Sequence, residues 1–218
     1  MASDRSDGHL TLYLVRHGRT VFNDQHRIQG WADSAITDEG MRIVEATAEH
    51  LASIELHAAY ASPSGRTLTT ADVIASYHAD LEVVAHDGLR EFYFGDWEER
   101  PEQEIAEQLD WLVLFQDVLA GTYPGFPNGE SARTYLDRVT GAFDEIEERH
   151  GAGENVLVVS HGMTLMTYLA LNGQFPRRAL GNASVTIMRI WSDGTRSIEV
   201  VGHDPSGEGV AEPEIPRR

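Results

Sequence analysis

Two segments far apart in the chain each end an apolar, β-branched run on a histidine followed by glycine. They are Leu14-Val15-Arg16-His17-Gly18-Arg19-Thr20 and Val158-Val159-Ser160-His161-Gly162-Met163-Thr164. Short apolar runs of this kind read as buried strands. In an open α/β sheet, functional groups gather at the carboxyl ends of the strands. Two strand ends tipped with histidine can meet in one site only if both strands lie in one sheet. Arg16, beside the first histidine, gives that site an affinity for anions.

The rest of the chain has the rhythm such a sheet needs. Leu10–Val15, Ala58–Ala61, Leu81–Val84 and Asn155–Val159 read as strands. Asp38–Ile54 reads as a helix capped by Thr37, with Gly40 its weak spot and Ile43, Val44, Ala48 and Leu51 at helical spacing. Ser64–Tyr77 and Met163–Leu171 read as further helices, and Ser184–Trp191 with Arg196–Val201 as a hairpin. Strands alternating with helices predict an α/β three-layer sandwich, a mostly parallel central sheet flanked by helices. Residues 10–202 form one catalytic domain on this reading. Residues 1–9 are a flexible tail, and residues 203–218 are a loose one.

Residues 97–130 interrupt the rhythm. Glu102–Leu119 reads as a helix anchored by Trp111, Leu112, Leu114 and Phe115, followed by the turn-rich stretch from Gly121 to Gly129. This insertion is placed over the mouth of the site. Trp31, Trp97, Trp111 and Phe126 are read as core residues.

Composition narrows the chemistry. There are no cysteines, so disulfides, thiolate nucleophiles and Cys-ligated zinc are excluded. All 17 basic residues are arginine, which excludes lysine Schiff bases and a Walker-type lysine. The net charge of −18 and the lack of a basic stripe argue against nucleic acid and anionic membranes as partners. No apolar run approaches the roughly 18 residues of a membrane span, and Met1 to His9 lacks a signal-peptide core. A cytoplasmic protein is expected. The last hairpin offers an edge on which a second copy could pair as a homodimer.

Phosphoryl transfer is mostly positioning and electrostatics, and Arg supplies rigid bidentate donors for phosphoryl oxygens. A neutral imidazole is a nucleophile near pH 7, and a carboxylic acid near the leaving oxygen can protonate it. The sequence offers each part. His17 is the candidate nucleophile. Arg66 opens a helix after Ser62-Pro63-Ser64-Gly65, where backbone N–H groups also favour anions. His161 ends the second strong strand. Glu91 lies in the aromatic-rich stretch Leu89–Glu98, where desolvation would raise a carboxyl pKa.

At this point the chain resembles the histidine phosphatase superfamily, in the branch labelled phosphoglycerate mutase-like. Six matches carry the resemblance, in family order, over roughly residues 10–190. The first is Arg16-His17-Gly18 with Thr20 and Asn23, and the second is Gly30–Thr37 leading to Gly40. The third is Ser62-Pro63 with Arg66, Thr67, Thr70 and Ala71. The fourth is Glu91 with Phe94-Gly95-Asp96-Trp97-Glu98. Asn128-Gly129-Glu130-Ser131 and Ser160-His161-Gly162 complete the set. The resemblance implies that His17 is phosphorylated. Arg16, Arg66 and His161 would form the phosphate pocket, with Asn23 and the Gly162 backbone adding donors. Glu91 would be proton donor to the leaving group and then base for water. It implies neither metal nor cofactor, and a small phosphorylated metabolite as the partner.

Three positions depart from the family's habit: Ser64 for Leu or Met, Glu99 where Gly is common after the Trp-Glu pair, and Asn128 where Gly is frequent. The second is expected to lose a backbone bend. The leading expectation is a metal-independent phosphomonoesterase. Phe92-Tyr93-Phe94-Gly95, in place of His-Tyr-Gly, and the lack of lysine set it apart from a cofactor-dependent phosphoglycerate mutase. That mutase is the alternative, and a non-catalytic phospholigand-binding protein on the same fold is the third reading.

Overall fold

The computed structural model describes residues 8–175 and 179–207. The strands are β1 (His9–Arg16), β2 (Ala58–Ala61), β3 (Val83–Ala85), β4 (Asn155–Ser160), β5 (Val185–Trp191) and β6 (Arg196–His203). They form one six-stranded sheet in the order β3-β2-β4-β1-β5-β6. β3, β2, β4 and β1 run parallel, while β5 and β6 add an antiparallel edge. The sheet is therefore mixed, parallel where the two histidine-tipped strands lie. Those two are direct neighbours, with Val15 opposite Val159 and Arg16 opposite Ser160.

Side chains alternate across a strand, so each strand feeds two cores. Leu10, Leu12 and Leu14 of β1 and Val156 and Val158 of β4 face one side. There they meet α6 (Ala132–Arg149) and α7 (Gly162–Leu171) through Tyr135, Val139, Phe143 and Leu165. Tyr13 and Val15, with Leu157 and Val159, face the other. They pack on Ala48 and Leu51 of α2 (Asp38–Leu51) and on Ala71 and Ile74 of α3 (Gly65–Ala75). Three layers follow. The one-turn helix α1 (Val21–Asp24) follows β1, capped by Thr20.

Element boundaries shift by up to three residues, α2 ending at Leu51 where Ile54 is expected. Thr37 accepts the Gly40 N–H and starts α2. β1 begins at His9 and β6 runs on through His203; the tails expected at the two ends fall largely on residues 1–7 and 208–218, which lie outside the described residues.

Two differences are larger. The helix expected over Glu102–Leu119 is two helices, α4 (Glu102–Ala106) and α5 (Trp111–Leu119). The Asp110 carboxylate accepts the N–H groups of Leu112 and Val113, starting a new helix there. The second difference is α6, an 18-residue helix that the sequence reading does not assign. Its apolar positions, Ala132, Tyr135, Val139, Ala142, Phe143 and Ile146, have helical spacing, and Ser131 caps it.

Candidate active site

The carboxyl ends of β1, β2 and β4 lie side by side, and the chain leaving each carries a polar group into the same space. β1 delivers Arg16 and His17, β2 delivers Ser62, and β4 delivers His161. The His17 N–H donates to the Ser160 carbonyl (3.0 Å), so the two histidines stand together with ring centroids 5.3 Å apart. Gly18 lets the chain turn against α2: a Cβ there would come within 2.5 Å of Val44 Cγ2.

Hydrogen bonds fix both tautomers. His17 Nδ1 lies 2.8 Å from the Gly18 carbonyl, which can only accept. Nδ1 therefore carries the proton, and Nε2 presents a lone pair. Burial, with Arg66 and Arg16 nearby, holds the His17 imidazole well below the usual histidine range, with the Gly18 carbonyl opposing. His161 is the reverse tautomer. Arg66 Nη2, a donor only, lies 3.0 Å from its Nδ1, so its Nε2 carries the proton and donates to Ser62 Oγ at 2.7 Å. Burial, then Arg66 and His17, keep His161 well below the usual range as well.

Arg66 is 1% exposed. Its Nη1 donates to the Ala32 carbonyl and to Asp33 Oδ1 (both 2.9 Å), and its Nη2 to the Gly30 carbonyl (2.7 Å). Its Nε is buried without a hydrogen-bond partner. The loop that supplies those carbonyls is itself held by Glu98. That carboxylate accepts the N–H groups of Gly30 (3.0 Å), Trp31 (3.0 Å), Ala32 (2.9 Å) and Phe94 (3.0 Å). Gly30 is required there, since a Cβ would sit 2.2 Å from the Phe92 carbonyl oxygen.

Glu91 is 7% exposed, and its carboxylate meets the N-terminus of α7. Oε2 accepts the Met163 N–H (2.9 Å). Oε1 accepts from Phe92 N (3.0 Å), Thr164 N (3.1 Å) and Thr164 Oγ1 (3.0 Å). Burial pushes the Glu91 carboxyl up; the donors from Phe92, Met163 and Thr164, and Arg66, pull it part of the way back. Arg138 of α6 braces this segment, donating to the carbonyls of Arg90 (2.7 Å) and Glu91 (2.8 Å) and pairing with Glu130.

Arg16, His17, Asn23, Glu91 and Gly162 all line one cavity of about 950 Å³. Arg66 and His161 lie buried behind it. Arg16 Nη1 donates to the Leu180 carbonyl (2.5 Å). The Asn23 side-chain oxygen accepts from Thr20 and Asn182, which leaves its NH₂ to offer. Gly162 is the first residue of α7, so its N–H has no partner within the helix. Among the described residues no group of three or more His, Asp or Glu side chains is placed to hold a metal ion, and no helix is long and apolar enough to cross a membrane.

Much of the remaining cavity wall comes from α4, α5 and the link between them, with Ile28, Phe94 and Met166 among the rest. Trp111 is on that wall, 39% exposed, and Trp31 is 42% exposed, so neither is a core residue. Phe126 is buried as expected. The bend expected to be lost at Glu99 is kept: Glu99 takes φ 64° and donates its N–H to the Ile28 carbonyl (2.9 Å). Asn128 likewise takes φ 58°, a conformation Asn tolerates.

The sequence matches the family described as the histidine phosphatase superfamily (branch 1) over residues 12–202. The chain belongs to that superfamily. Among relatives within the histidine phosphatase superfamily, the probable phosphoglycerate mutase GpmB of Yersinia enterocolitica is 37% identical over 158 residues, covering 72% of this chain and 71% of its own. The crystal structure of a phosphoglycerate mutase from Bacillus anthracis str. Sterne superposes with a TM-score of 0.74 at 29% identity, covering 92% of this chain and 95% of its own. The alpha-ribazole phosphatase from Shigella flexneri shares the fold, with a TM-score of 0.75 at 22% identity over 89% of this chain and 96% of its own. The proteins similar to this chain thus carry a mutase name by sequence, and both mutase and phosphatase names by fold.

Sequence reasoning missed several residues of this site. Ser62, Asp33 and Glu98 lie inside the quoted motifs but had no role there. Arg138 lies outside all of them; the helical spacing of α6 was its only signal.

Proposed function

We propose that the protein is a metal-independent phosphomonoesterase acting on a small phosphorylated metabolite through phosphorylated His17. The observation that carries this reading is the His17 tautomer. A neutral imidazole, locked by Gly18 with Nε2 unprotonated, faces a cavity that also holds a buried carboxyl group.

Arg16, the Gly162 N–H and the Asn23 amide bind the phosphoryl oxygens, with Arg66 behind them supplying positive potential and neutral His161 holding the Arg66 guanidinium in place. The Nε2 lone pair of His17 forms the P–N bond as the P–O bond to the alcohol breaks. The bonding pair leaves on the alcohol oxygen, which takes the proton from Glu91. The Nδ1–H bond to Gly18 strengthens as the ring gains positive charge. Water then attacks phosphorus, Glu91 takes its proton, and the P–N pair returns to Nε2. Alcohol and inorganic phosphate leave.

Burial of Glu91 supports the acid role, and its four donors support the return to carboxylate. Phosphate release from a panel of phosphomonoesters, with chelator present, is expected for the wild type and lost in His17→Ala. Substantial release by His17→Ala would sink the mechanism.

A second reading is favoured by the names of the relatives. A phosphoglycerate mutase would pass the phosphoryl group from His17 to a sugar-acid phosphate instead of water. A mutase assay primed with bisphosphoglycerate separates the two. Ligand binding without either turnover would favour a phospholigand-binding protein.

A further inference from the structure

The cavity is far larger than a phosphoryl group needs. At about 950 Å³ it is at the upper end of pockets that hold drug-sized ligands. Its lining is of two kinds. Arg16, His17 and the Gly162 backbone are polar. Ile28, Phe94, Leu109, Trp111, Leu112 and Met166 are apolar, three of them on the α4–α5 stretch. Trp111 leaves 39% of its surface exposed, with Phe94 meeting it edge-on at 6.4 Å between centroids. A large ring left open on a cavity wall is a surface that a ligand can bury.

Charge along the α4–α5 wall points the same way. Among the described residues lining the cavity, Arg27 is the one cation besides Arg16, and its Nη1 donates to the Glu99 carbonyl (2.8 Å). Glu102, Glu107 and Asp110 of that wall are all acidic, and Glu107 accepts from the neutral amide of Gln103 (3.0 Å). A ligand carboxylate seated there would meet a like charge.

We infer that the preferred substrate is a phosphomonoester whose alcohol carries an aromatic or extended aliphatic group without a carboxylate, that group lying along the α4–α5 wall against Trp111. This rests on the reading of the His17 end as the phosphoryl site. Trp111 would then be a specificity-determining contact, remote from the reacting atoms.

The test uses non-hydrolysable phosphonates and calorimetry on the full chain, so it does not depend on turnover. (1-Naphthylmethyl)phosphonate is expected to bind at least about tenfold tighter than 3-phosphonopropionate, the worth of burying an aromatic ring. Trp111→Ala should remove most of that preference and leave 3-phosphonopropionate within about twofold. Leu112→Ser, on the same wall, is the second variant should the first fold poorly. Equal or tighter binding of 3-phosphonopropionate overturns the inference, as does a preference that survives both substitutions. Binding of neither compound overturns it together with the phosphoryl-site reading. A clear preference without phosphate release from the matching esters leaves it standing and overturns the hydrolase reading alone.

Discussion

Glu98 touches neither the cavity wall nor His17, yet four backbone N–H groups converge on its carboxylate. Glu98→Gln changes one oxygen to NH₂ and keeps the shape. Oε1 serves Trp31 and Phe94, and Oε2 serves Gly30 and Ala32, so one pair of N–H groups must face another donor. Hydrogen bonds to charged groups are worth roughly 1.5–3 kcal/mol each, which sets a ceiling of about 3–6 kcal/mol for two. Glu98 is half-buried, and the loop can relax toward water, so the low end, about 3 kcal/mol, is expected. The effect should reach the site, because the Gly30 and Ala32 carbonyls position the Arg66 guanidinium. Urea denaturation reads the stability. Competitive inhibition by inorganic phosphate reads the anion pocket and should weaken about tenfold, the worth of about one charge-assisted hydrogen bond. A stability loss under about 1 kcal/mol would refute the reasoning, as would a loss that leaves phosphate inhibition unchanged.

Glu91→Gln should slow phosphoenzyme formation by about 10²–10⁴-fold for alkyl esters, whose oxygen must be protonated as it leaves. The loss should be far smaller for p-nitrophenyl phosphate; equal losses for both would remove Glu91 from the acid role. The histidines predict a stability profile. His17 and His161 resist protonation in the folded protein, while unfolded histidine takes a proton near pH 6.5. Below that pH the unfolded chain binds more protons, so stability falls as the pH drops, by up to about 2.7 kcal/mol per pH unit for the two together. Denaturation midpoints between pH 7 and 5 should show this slope, and His17→Asn should roughly halve it; an unchanged slope would show that His17 does not cause it.

The sheet was legible because its strands are short apolar runs ending in polar groups, and that pattern survives without tertiary information. β2 falls at Ala58–Ala61 in both the sequence reading and the structure. The break at residues 107–110 was not legible. Nothing in Glu107-Gln108-Leu109 disfavours a helix, and the break depends on where the Asp110 side chain turns. α6 was legible and missed: its apolar spacing is regular, but Gly141, Thr134, Thr140, Asp137 and Asp144 weaken its intrinsic helix signal. The placement of His17 beside His161 followed from two strands in one sheet. The grip of Glu98 on the 30–32 loop and of Arg138 on the 90–91 carbonyls depends on segments that meet only in three dimensions.

Under the proposed function, the groups assigned to the phosphoryl end come from segments spread between residues 16 and 162. Much of the opposite wall comes from one unbroken stretch, residues 102–115, between β3 and β4. Under the proposed function, what the cavity accepts can therefore be retuned within that one stretch while the phosphoryl groups keep their places.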